Sequence, residues 1–234
     1  MNEKVNSILE GIYNAASILE NLVGNDLFEF DRIILIGAHG TGKSTLANKL
    51  SEMIDLPVVE SVAREFNKNW KYMVDCGMFF GNMMTESSKH GVRQNILCSM
   101  SRWDFMRWVN TEIPVIMTRC PLDTLAYAKA DTTIDPNIYK QNFEIISQSE
   151  EFKEALKRSL FIYLPIEFPI ENDGERPTDD TFQKAVDQAM RELIYDFKIT
   201  PLVVTGSVKE RVEQVLVKLF DKDIAKEAMQ VYTE

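Results

Sequence analysis

Residues 37–45 read GAHGTGKST and directly follow the apolar run RIILI at 32–36. Gly37, Gly42, Lys43 and Ser44 satisfy the spacing G-x-x-x-x-G-K-[ST], and a strand-like run before the motif and the helical pattern TLANKLSEMI after it supply the expected context. The alternative is a glycine-rich turn that ends by chance in a lysine, which the combination of strand, motif and helix disfavours. The stretch therefore predicts a loop whose backbone cradles a polyphosphate.

Each residue type in this loop has a physical reason. Glycines at 37, 40 and 42 allow several backbone N–H groups to turn inward, and the following helix presents its positive N-terminal end to the same oxygens. Lys43 is predicted to bridge the β- and γ-phosphates, and the hydroxyl of Ser44 to ligate Mg²⁺. His39 is interpreted as a tolerated loop residue rather than a catalytic base. The predicted nucleotide-contacting residues are Gly37, His39, Gly40, Thr41, Gly42, Lys43, Ser44 and Thr45.

Composition narrows the function classes. The chain has 234 residues, of which 45% are hydrophobic, and a formal net charge of −10. One domain spanning 1–234 is expected from its length, and the negative charge makes duplex nucleic acid an unlikely main partner. The three cysteines lack CxxC spacing, so neither a disulfide framework nor a zinc site is predicted. No signal peptide and no spanning apolar run of about 18 residues is evident, so we expect a cytoplasmic protein with no membrane partner.

Short apolar runs alternate with longer helical stretches from residue 31 onward. The runs are RIILI at 32–36, LPVVE at 56–60, PVIMT at 114–118, LFIYL at 160–164 and PLVVT at 201–205. Continuous β-branched runs separated by helices are typical of parallel strands buried on both faces, so the pattern predicts a doubly wound α/β fold. Residues 65–112, rich in Met, Phe and Trp, are predicted to form a helical insertion that borders a substrate pocket.

An additional helix is predicted at residues 1–26, before the first strand. Apolar residues from Val5 to Val23 recur at three- and four-residue spacing, and Gly24 follows them. This periodicity is that of an amphipathic helix. The helix is interpreted as packing on the sheet edge, with a homodimer contact as the alternative.

Four further stretches carry a resemblance to a known family. They are VVESVAREF at 58–66, TRCPLDTLAYA at 118–128, ENDGERPTDDTFQKAVDQAMRELI at 171–194 and VVTGSVKERVEQVL at 203–216. Together with the motif at 37–45, they resemble P-loop nucleoside/nucleotide kinase-like ATPase domains, including the nicotinamide ribose kinase domain of the bacterial NAD regulator and, more distantly, the deoxynucleoside kinases. The resemblance covers residues 31–220. It implies a three-layer P-loop NTPase with a five-stranded parallel sheet of order 2-3-1-4-5, ATP and Mg²⁺ as cofactors, and a small nucleoside or nucleotide acceptor.

The resemblance also implies roles for residues after the second strand. In the family an acid at this point acts on the acceptor hydroxyl, and Glu60 stands there. Phosphoryl transfer needs a group that orients the attacking oxygen and receives its proton. Arg64, one helical turn later, would hold a charged or polar part of the acceptor. The alternative for Glu60 and Arg64 is an exposed i,i+4 salt bridge.

The third strand departs from the family pattern. It normally ends in an Asp-Arg pair, whereas this chain has Thr118-Arg119. The arginine is kept for the phosphates, but the carboxylate that helps to organise magnesium is missing. Asp123 or Glu60 would supply the charge, or the metal would rely on Ser44 and water. Asp123 is equally well interpreted as a helix-capping residue.

A lid is predicted at 171–182, where Arg176 would be carried over the phosphates. The alternative is a solvated acidic loop. Gln94 falls where deoxynucleoside kinases carry a glutamine that reads a nucleobase edge. Aromatic residues of the insertion would either stack on a base or belong to the core; they are Trp70, Tyr72, Phe79, Trp103, Phe105 and Trp108.

These features together predict a phosphotransferase in which Lys43, Glu60, Arg119 and Arg176 are catalytic. Its substrate site would include Glu60, Arg64, Gln94 and Asp123, and ATP is favoured because no Asn/Thr-Lys-x-Asp guanine motif is present. Three alternatives stay open at this stage. The chain would hydrolyse ATP as a switch, phosphorylate a modified base hydroxyl in DNA, or bind a nucleotide without catalysis.

Overall fold

The computed structural model describes residues 30–76, 85–111, 114–169, 180–220 and 222–230. Its sheet contains five strands, all parallel where they pair, in the order β2-β3-β1-β4-β5. The strands are β1 Arg32–Ile36, β2 Val58–Val59, β3 Val115–Met117, β4 Ser159–Tyr163 and β5 Leu202–Val203. The α/β class and the strand order expected from the sequence are confirmed.

Helices lie between successive strands, and two more follow the last strand. They are α1 Lys43–Ile54, α2 Val62–Asp75, α3 Glu86–Val109, α4 Pro121–Ala130, α5 Pro136–Gln148, α6 Glu150–Lys157, α7 Asp180–Asp196, α8 Val208–Leu219 and α9 Lys222–Gln230. None of the helices in the described ranges is both long enough and apolar enough to span a bilayer.

The central strand β1 explains the three layers. All five of its residues are buried, and its side chains alternate between two cores because successive residues of a strand point to opposite faces. Ile34 and Ile36 join one core with residues of α3 to α7. Ile33 and Leu35 join the other with residues of α1, α8 and α9. Burial on both faces is the reason that RIILI has no polar alternation.

The strand order places the loop after β1 at a crevice. Ile33 of β1 lies opposite Ile116 of β3 on one side and Leu160 of β4 on the other. The connection after β1 runs towards β2, whereas the connection after the neighbouring β4 runs towards β5, so the two leave in opposite directions across the sheet. Ligands of open α/β sheets bind outside the carboxyl ends of the strands at such a switch point, so a ligand site is expected at this edge of the sheet.

Arg32 fixes the helical wall beside the sheet. Its side chain is 2% exposed, and its guanidinium donates to the backbone oxygens of Trp108, Val109 and Thr111 at the end of α3. Burial lowers the pKa of Arg32, partly opposed by the charge of Asp31. These bonds hold the last turn of the 65–112 insertion against the start of β1.

The elements differ from the predicted ones in three places. Strands β2 and β5 have two residues each, shorter than their apolar runs. Helix α2 begins at Val62, before the predicted start of the insertion. Helix α9 follows the predicted core and buries Ala225 against the core that contains α8. The helix predicted at 1–26, most of the 171–182 lid, Arg176 and Phe79 lie outside the described residues.

Candidate active site

The loop after β1 has the backbone conformation that its glycines allow. Gly40 and Gly42 have φ of 75° and 88°, and Gly42 is the N-cap of α1. Gly37 has φ of 142°, and a Cβ added to it would stand 2.5 Å from the carbonyl oxygen of Leu164. A side chain at 37 is therefore excluded both by backbone conformation and by the close approach of the chain after β4.

Lys43 lies inside this loop. Its side chain is buried, and its Nζ donates to the carbonyl oxygens of Gly37 at 2.6 Å and Ala38 at 2.5 Å. Thr41 Oγ1 also donates to the Ala38 oxygen, at 3.0 Å. The ammonium group is thus held by neutral acceptors at the start of α1, where the helix presents its N–H groups.

A cleft of about 940 Å³ opens from the loop. One part of its wall is the loop itself, residues 39–45, and another part comes from α2 and α3. The remaining lining residues come from the segments after β2 and β3, from α4 and the segment that follows it, and from α7. Among the predicted site residues the cleft lining includes His39, Gly40, Thr41, Gly42, Lys43, Ser44, Thr45, Glu60, Gln94 and Arg119. Gly37 and Asp123 do not line it.

Glu60 follows β2 and is exposed at the cleft wall. The next residue, Ser61, begins α2 because its Oγ accepts a hydrogen bond from Ala63 N at 3.2 Å. The cap fixes the point where the chain turns from strand to helix, and so fixes the backbone of Glu60. Arg64 lies in the first turn of α2, and its side chain is outside the described part of the structure.

Arg119 is held over an aromatic ring at the end of β3. Its guanidinium carbon lies 5.4 Å from the centre of the Tyr127 ring, and its Nη1 lies 4.0 Å from Asp123 Oδ1. Burial disfavours the charged form, but Tyr127, Asp123 and Glu60 outweigh it and raise the pKa of Arg119. The cation is therefore retained in the cleft wall, positioned by α4.

Asp123 acts from beneath the cleft surface. It is 0% exposed, and its Oδ2 accepts a hydrogen bond from Cys120 N at 2.9 Å, so the carboxylate caps the start of α4. Burial raises its pKa, while the charges of Arg119 and Lys43 act to lower it. This geometry matches the capping interpretation of Asp123, because the buried carboxylate positions Arg119 without lining the cleft.

Thr118 takes the position of the missing acid. It is buried at the end of β3, and its Oγ1 donates to Val59 O at 3.3 Å, which ties β3 to β2. Within the described ranges, no group of three or more His, Cys, Asp or Glu residues is placed to hold a metal ion. The side-chain oxygens that line the cleft around the loop include the hydroxyl of Ser44 and the carboxylate of Glu60.

Gln94 lines the cleft from α3. It is 7% exposed, and its Nε2 donates to Thr124 O at 2.8 Å. Its carbonyl oxygen has no hydrogen-bond partner among the described residues, so an acceptor position is left at the cleft wall. The contact with α4 fixes the amide, because only one orientation directs the NH₂ group at a carbonyl.

The aromatic residues that line the cleft are not the ones that the sequence suggested as stacking partners for a base. Phe105 belongs to the core, whereas Tyr72 and Trp103 are 68% and 64% exposed. Trp70 and Trp108 do not line the cleft either. The aromatic rings that line it are Tyr127 of α4 and Phe182 of α7, which pack edge to face at 5.9 Å. Sequence analysis missed Tyr127 and Phe182, although both fall inside stretches that carry the family resemblance.

His39 connects the loop to both of these aromatic residues. It is 4% exposed, and its Nδ1 lies 2.9 Å from Tyr127 Oη. Its ring centre lies 6.3 Å from that of Phe182, and its carbonyl oxygen accepts a hydrogen bond from Gln183 Nε2 at 2.7 Å. His39 therefore has specific packing partners in α4 and α7, which a merely tolerated loop residue would lack.

Arg211 clamps the loop from the opposite core and was not identified from the sequence. It is 3% exposed in α8, and its Nη1 donates to Thr41 O at 2.7 Å. Its Nη2 pairs with Glu167 Oε2 at 2.5 Å, and Glu167 in turn accepts from Gly206 N. The segments after β1, β4 and β5 are thereby fixed to one another by one guanidinium.

We expect Arg211→Met to lower the free energy of unfolding by about 3 kcal/mol, because it removes the cation that pairs with Glu167 and the donor to the Thr41 carbonyl. Nucleotide affinity should fall as well, since the loop loses its support. Urea unfolding and titration with AMP-PNP measure the two effects. Glu213→Gln, at an exposed position of the same helix, is the control and should change stability by less than about 0.5 kcal/mol. Equal stability of the two variants would contradict the clamp.

A family model described as AAA domain matches residues 32–211, from the start of β1 to Arg211. The chain belongs to the AAA domain family. No curated protein sequence matches this AAA domain significantly.

Solved structures resemble this AAA domain in fold. Deoxyadenosine kinase from M. mycoides, solved with dCMP and dCDP, is 14% identical with a TM-score of 0.56, over 80% of this chain and 97% of the kinase. NadR in complex with NAD and AMP-PNP is 15% identical with a TM-score of 0.55, over 87% of this chain and 50% of NadR. Thymidylate kinase from Candida albicans is 17% identical with a TM-score of 0.51, over 84% and 92% of the two chains. The fold is that of the P-loop nucleoside and nucleotide kinases.

Proposed function

We propose that the protein is an ATP- and Mg²⁺-dependent phosphotransferase that transfers the γ-phosphate of ATP to a small nucleoside-like or nucleotide-like acceptor. The observation that carries the proposal is that the glycine-rich loop, Arg119 and the carboxylate of Glu60 line one continuous cleft. A phosphate donor held by the loop and an acceptor held by the α2–α3 wall would meet there. Transfer in such a site depends on positioning and charge stabilisation.

Lys43 would hold the donor. Its ammonium is already at the loop, with its hydrogen bonds directed at the Gly37 and Ala38 carbonyls. Phosphate oxygens are stronger acceptors for a cation than neutral carbonyls, so Lys43 would exchange one set for the other when a triphosphate binds. The N–H groups at the start of α1 add to the same anion site. ATP as donor is supported by the AMP-PNP complex of the similarly folded NadR.

The loop supplies few protein ligands for Mg²⁺, so the residues fit the ion only when the phosphate oxygens of a bound nucleotide also coordinate it. Ser44 would be the protein ligand, and waters and phosphate oxygens would complete the shell, as is common for Mg²⁺. When bound, the ion would neutralise phosphate charge. Thr118 offers no carboxylate to it. Glu60 directly follows Val59, which pairs with Met117 beside Thr118, so Glu60 is the cleft-lining acid at the end of the strand next to the position that the family normally uses.

Glu60 would act on the acceptor, and Arg119 on the transferred group. Glu60 would orient the acceptor oxygen and receive its proton as the new P–O bond forms, while the bond to the leaving ADP breaks. Arg119, which lies over the ring of Tyr127, would stabilise charge on the transferred group. Gln94 would present its free carbonyl oxygen to a base edge, and Arg64 and Arg176 are proposed to contact acceptor and phosphates respectively.

An ADP-release assay with ATP, Mg²⁺ and a panel of nucleosides and nucleotides tests the proposal. ADP formation should depend on one class of acceptor, and each ADP should be matched by one phosphorylated acceptor in the same mixture. ADP formation at the same rate with and without every acceptor would overturn it. That outcome would favour ATP hydrolysis, the second candidate, which the threonine at 118 supports because the expected metal-organising acid is absent.

A further inference from the structure

The cleft has the opposite charge to the rest of the chain. Lys43, Lys68, Arg93 and Arg119 line it, against the acids Glu60 and Asp131, although the whole chain carries a net charge of −10. Basic residues collected in a cleft of an acidic protein attract anionic ligands. Lys43 and Arg119 belong to the phosphoryl end, but Lys68 and Arg93 have no part in the transfer described above.

Contacts relate Lys68 and Arg93 to the C-terminal end of α4. Arg93 donates to Asn67, the residue before Lys68, and His90, about one turn before Arg93 on α3, lies 3.5 Å from Asp131. The positive charges of Lys43 and Arg119 act on the carboxylate of Asp123, in the first turn of α4. Asp131, directly after the last turn of α4, is the carboxylate whose charge acts on Arg93. The backbone rise of α4 from position 123 to position 131 is roughly 12 Å. A ligand that touches both ends of the cleft therefore has to be extended.

Arg93 is short of negative partners. Its Nε and Nη2 both donate to the amide oxygen of Asn67, at 3.2 and 2.8 Å, which is a neutral acceptor. Asp131 accepts instead from Thr133, at 2.9 Å from its backbone N and 2.6 Å from its Oγ1, and lies 3.5 Å from His90. No carboxylate of the described residues forms an ion pair with Arg93 or Lys68.

Arg93 is partly desolvated, unlike a cation on the open surface. Burial lowers its pKa, and the distant charge of Asp131 opposes this effect. A partly buried guanidinium without an anion bears a desolvation cost that a bound phosphate would offset, because guanidinium–phosphate pairs form two parallel hydrogen bonds. Asn67 holds one edge of the group, so the remaining N–H groups are preorganised for a ligand in the cleft.

We propose that the acceptor carries a phosphate group remote from the oxygen that receives the γ-phosphate, and that Arg93 and Lys68 bind this remote phosphate. The proposal rests on the proposed function and makes the acceptor a nucleotide rather than a nucleoside. The same phosphate chemistry occurs in a mononucleotide and in the phosphodiester of a short single-stranded oligonucleotide.

Calorimetric titration of the full chain tests this inference. The ligands are the deoxynucleoside 3′- and 5′-monophosphates, their matched deoxynucleosides and a set of trinucleotides. At least one phosphorylated ligand should bind about 10- to 100-fold more tightly than its nucleoside, as expected for charge-assisted hydrogen bonds. Tighter binding of a monophosphate identifies a mononucleotide acceptor, and tighter binding of a trinucleotide identifies a strand.

The double variant Lys68→Gln/Arg93→Gln should reduce that preference to within about twofold, since both charge-assisted partners are removed. Lys140→Gln, at an exposed site of α5 outside the cleft, should leave it unchanged. Equal affinity of phosphorylated and unphosphorylated ligands for the wild-type chain, or a preference that survives in the double variant, would overturn the inference.

Binding of AMP-PNP separates this inference from the proposed function. The double variant should bind AMP-PNP as tightly as the wild-type chain, because neither residue lies at the loop. Failure of the wild-type chain to bind AMP-PNP would refute the proposed function, while the titrations without AMP-PNP would still decide whether the remote phosphate site exists.

Discussion

Lys43→Met lowers the rate of ADP formation by about 10²- to 10³-fold, the usual effect of removing one preorganised charge from a transferred group. The ammonium of Lys43 is buried within the glycine-rich loop and within hydrogen-bond distance of two backbone carbonyls. Methionine keeps much of the volume of the side chain but has neither charge nor donor. Steady-state kinetics at saturating acceptor measure the effect on turnover, and AMP-PNP titration measures the effect on donor binding.

The same substitution has a structural cost that has to be separated from the chemical one. The carbonyl oxygens of Gly37 and Ala38 lose a donor, which should reduce the free energy of unfolding by about 1–3 kcal/mol. Lys43→Arg keeps the charge and tests whether charge alone suffices, since the planar guanidinium replaces a compact point charge. Lys49→Met, on the same helix but outside the cleft, is the matched control. Retention of wild-type turnover by a folded Lys43→Met variant would remove Lys43 from the proposed mechanism.

The order of strands and helices could be predicted from sequence because short runs of neighbouring residues determine each element. The run RIILI is apolar throughout, and the structure shows why: Ile33 and Ile34 face different cores. The glycine-rich motif likewise fixes its own conformation, since Gly40 and Gly42 require positive φ. Each of these features depends on neighbouring residues only, so one sequence is enough to find it.

The supports of the site could not be predicted in this way because they join distant parts of the chain. Arg211 meets Thr41 across 170 residues, and Gln183 meets His39 across 144. Nothing in the local pattern distinguishes Arg211 from an arginine on a solvated helix face. The helix of the insertion poses a related problem: α3 is long, and its aromatic residues are spread between the core and the surface. Its sequence alone did not indicate which face lines the cleft.

Thr118 makes Glu60 the most informative residue for the proposed chemistry. Asp123 is committed to capping α4 beneath the surface, and Asp131 is engaged by Thr133 at the far end of the cleft. Among the carboxylates that the described structure places in the cleft wall, Glu60 is therefore the one available beside the glycine-rich loop. In the proposed mechanism Glu60 therefore orients the acceptor and also supplies negative charge near the metal ion.

Glu60→Gln should accordingly lower acceptor-dependent turnover by about 10²- to 10⁴-fold, the range for loss of a general base. Glutamine keeps the size and a hydrogen-bonding oxygen of the side chain but cannot take up the proton of the attacking hydroxyl. Since Glu60 is exposed and lies outside the loop, AMP-PNP affinity and stability should remain close to those of the wild-type chain. A selective fall in turnover, with donor binding intact, is the signature of a residue that acts on the acceptor.

Glu65→Gln is the matched control, because Glu65 is an exposed glutamate of α2 whose carboxylate accepts from Asn69 and does not line the cleft. It should turn over like the wild-type chain. The outcome also discriminates between the two candidate functions. A hydrolase that uses Glu60 to orient water would lose acceptor-independent ADP formation in the Gln variant, whereas a phosphotransferase would lose only the acceptor-dependent part. Full acceptor-dependent activity in folded Glu60→Gln would exclude Glu60 as the base and leave the α2–α3 wall without a catalytic group.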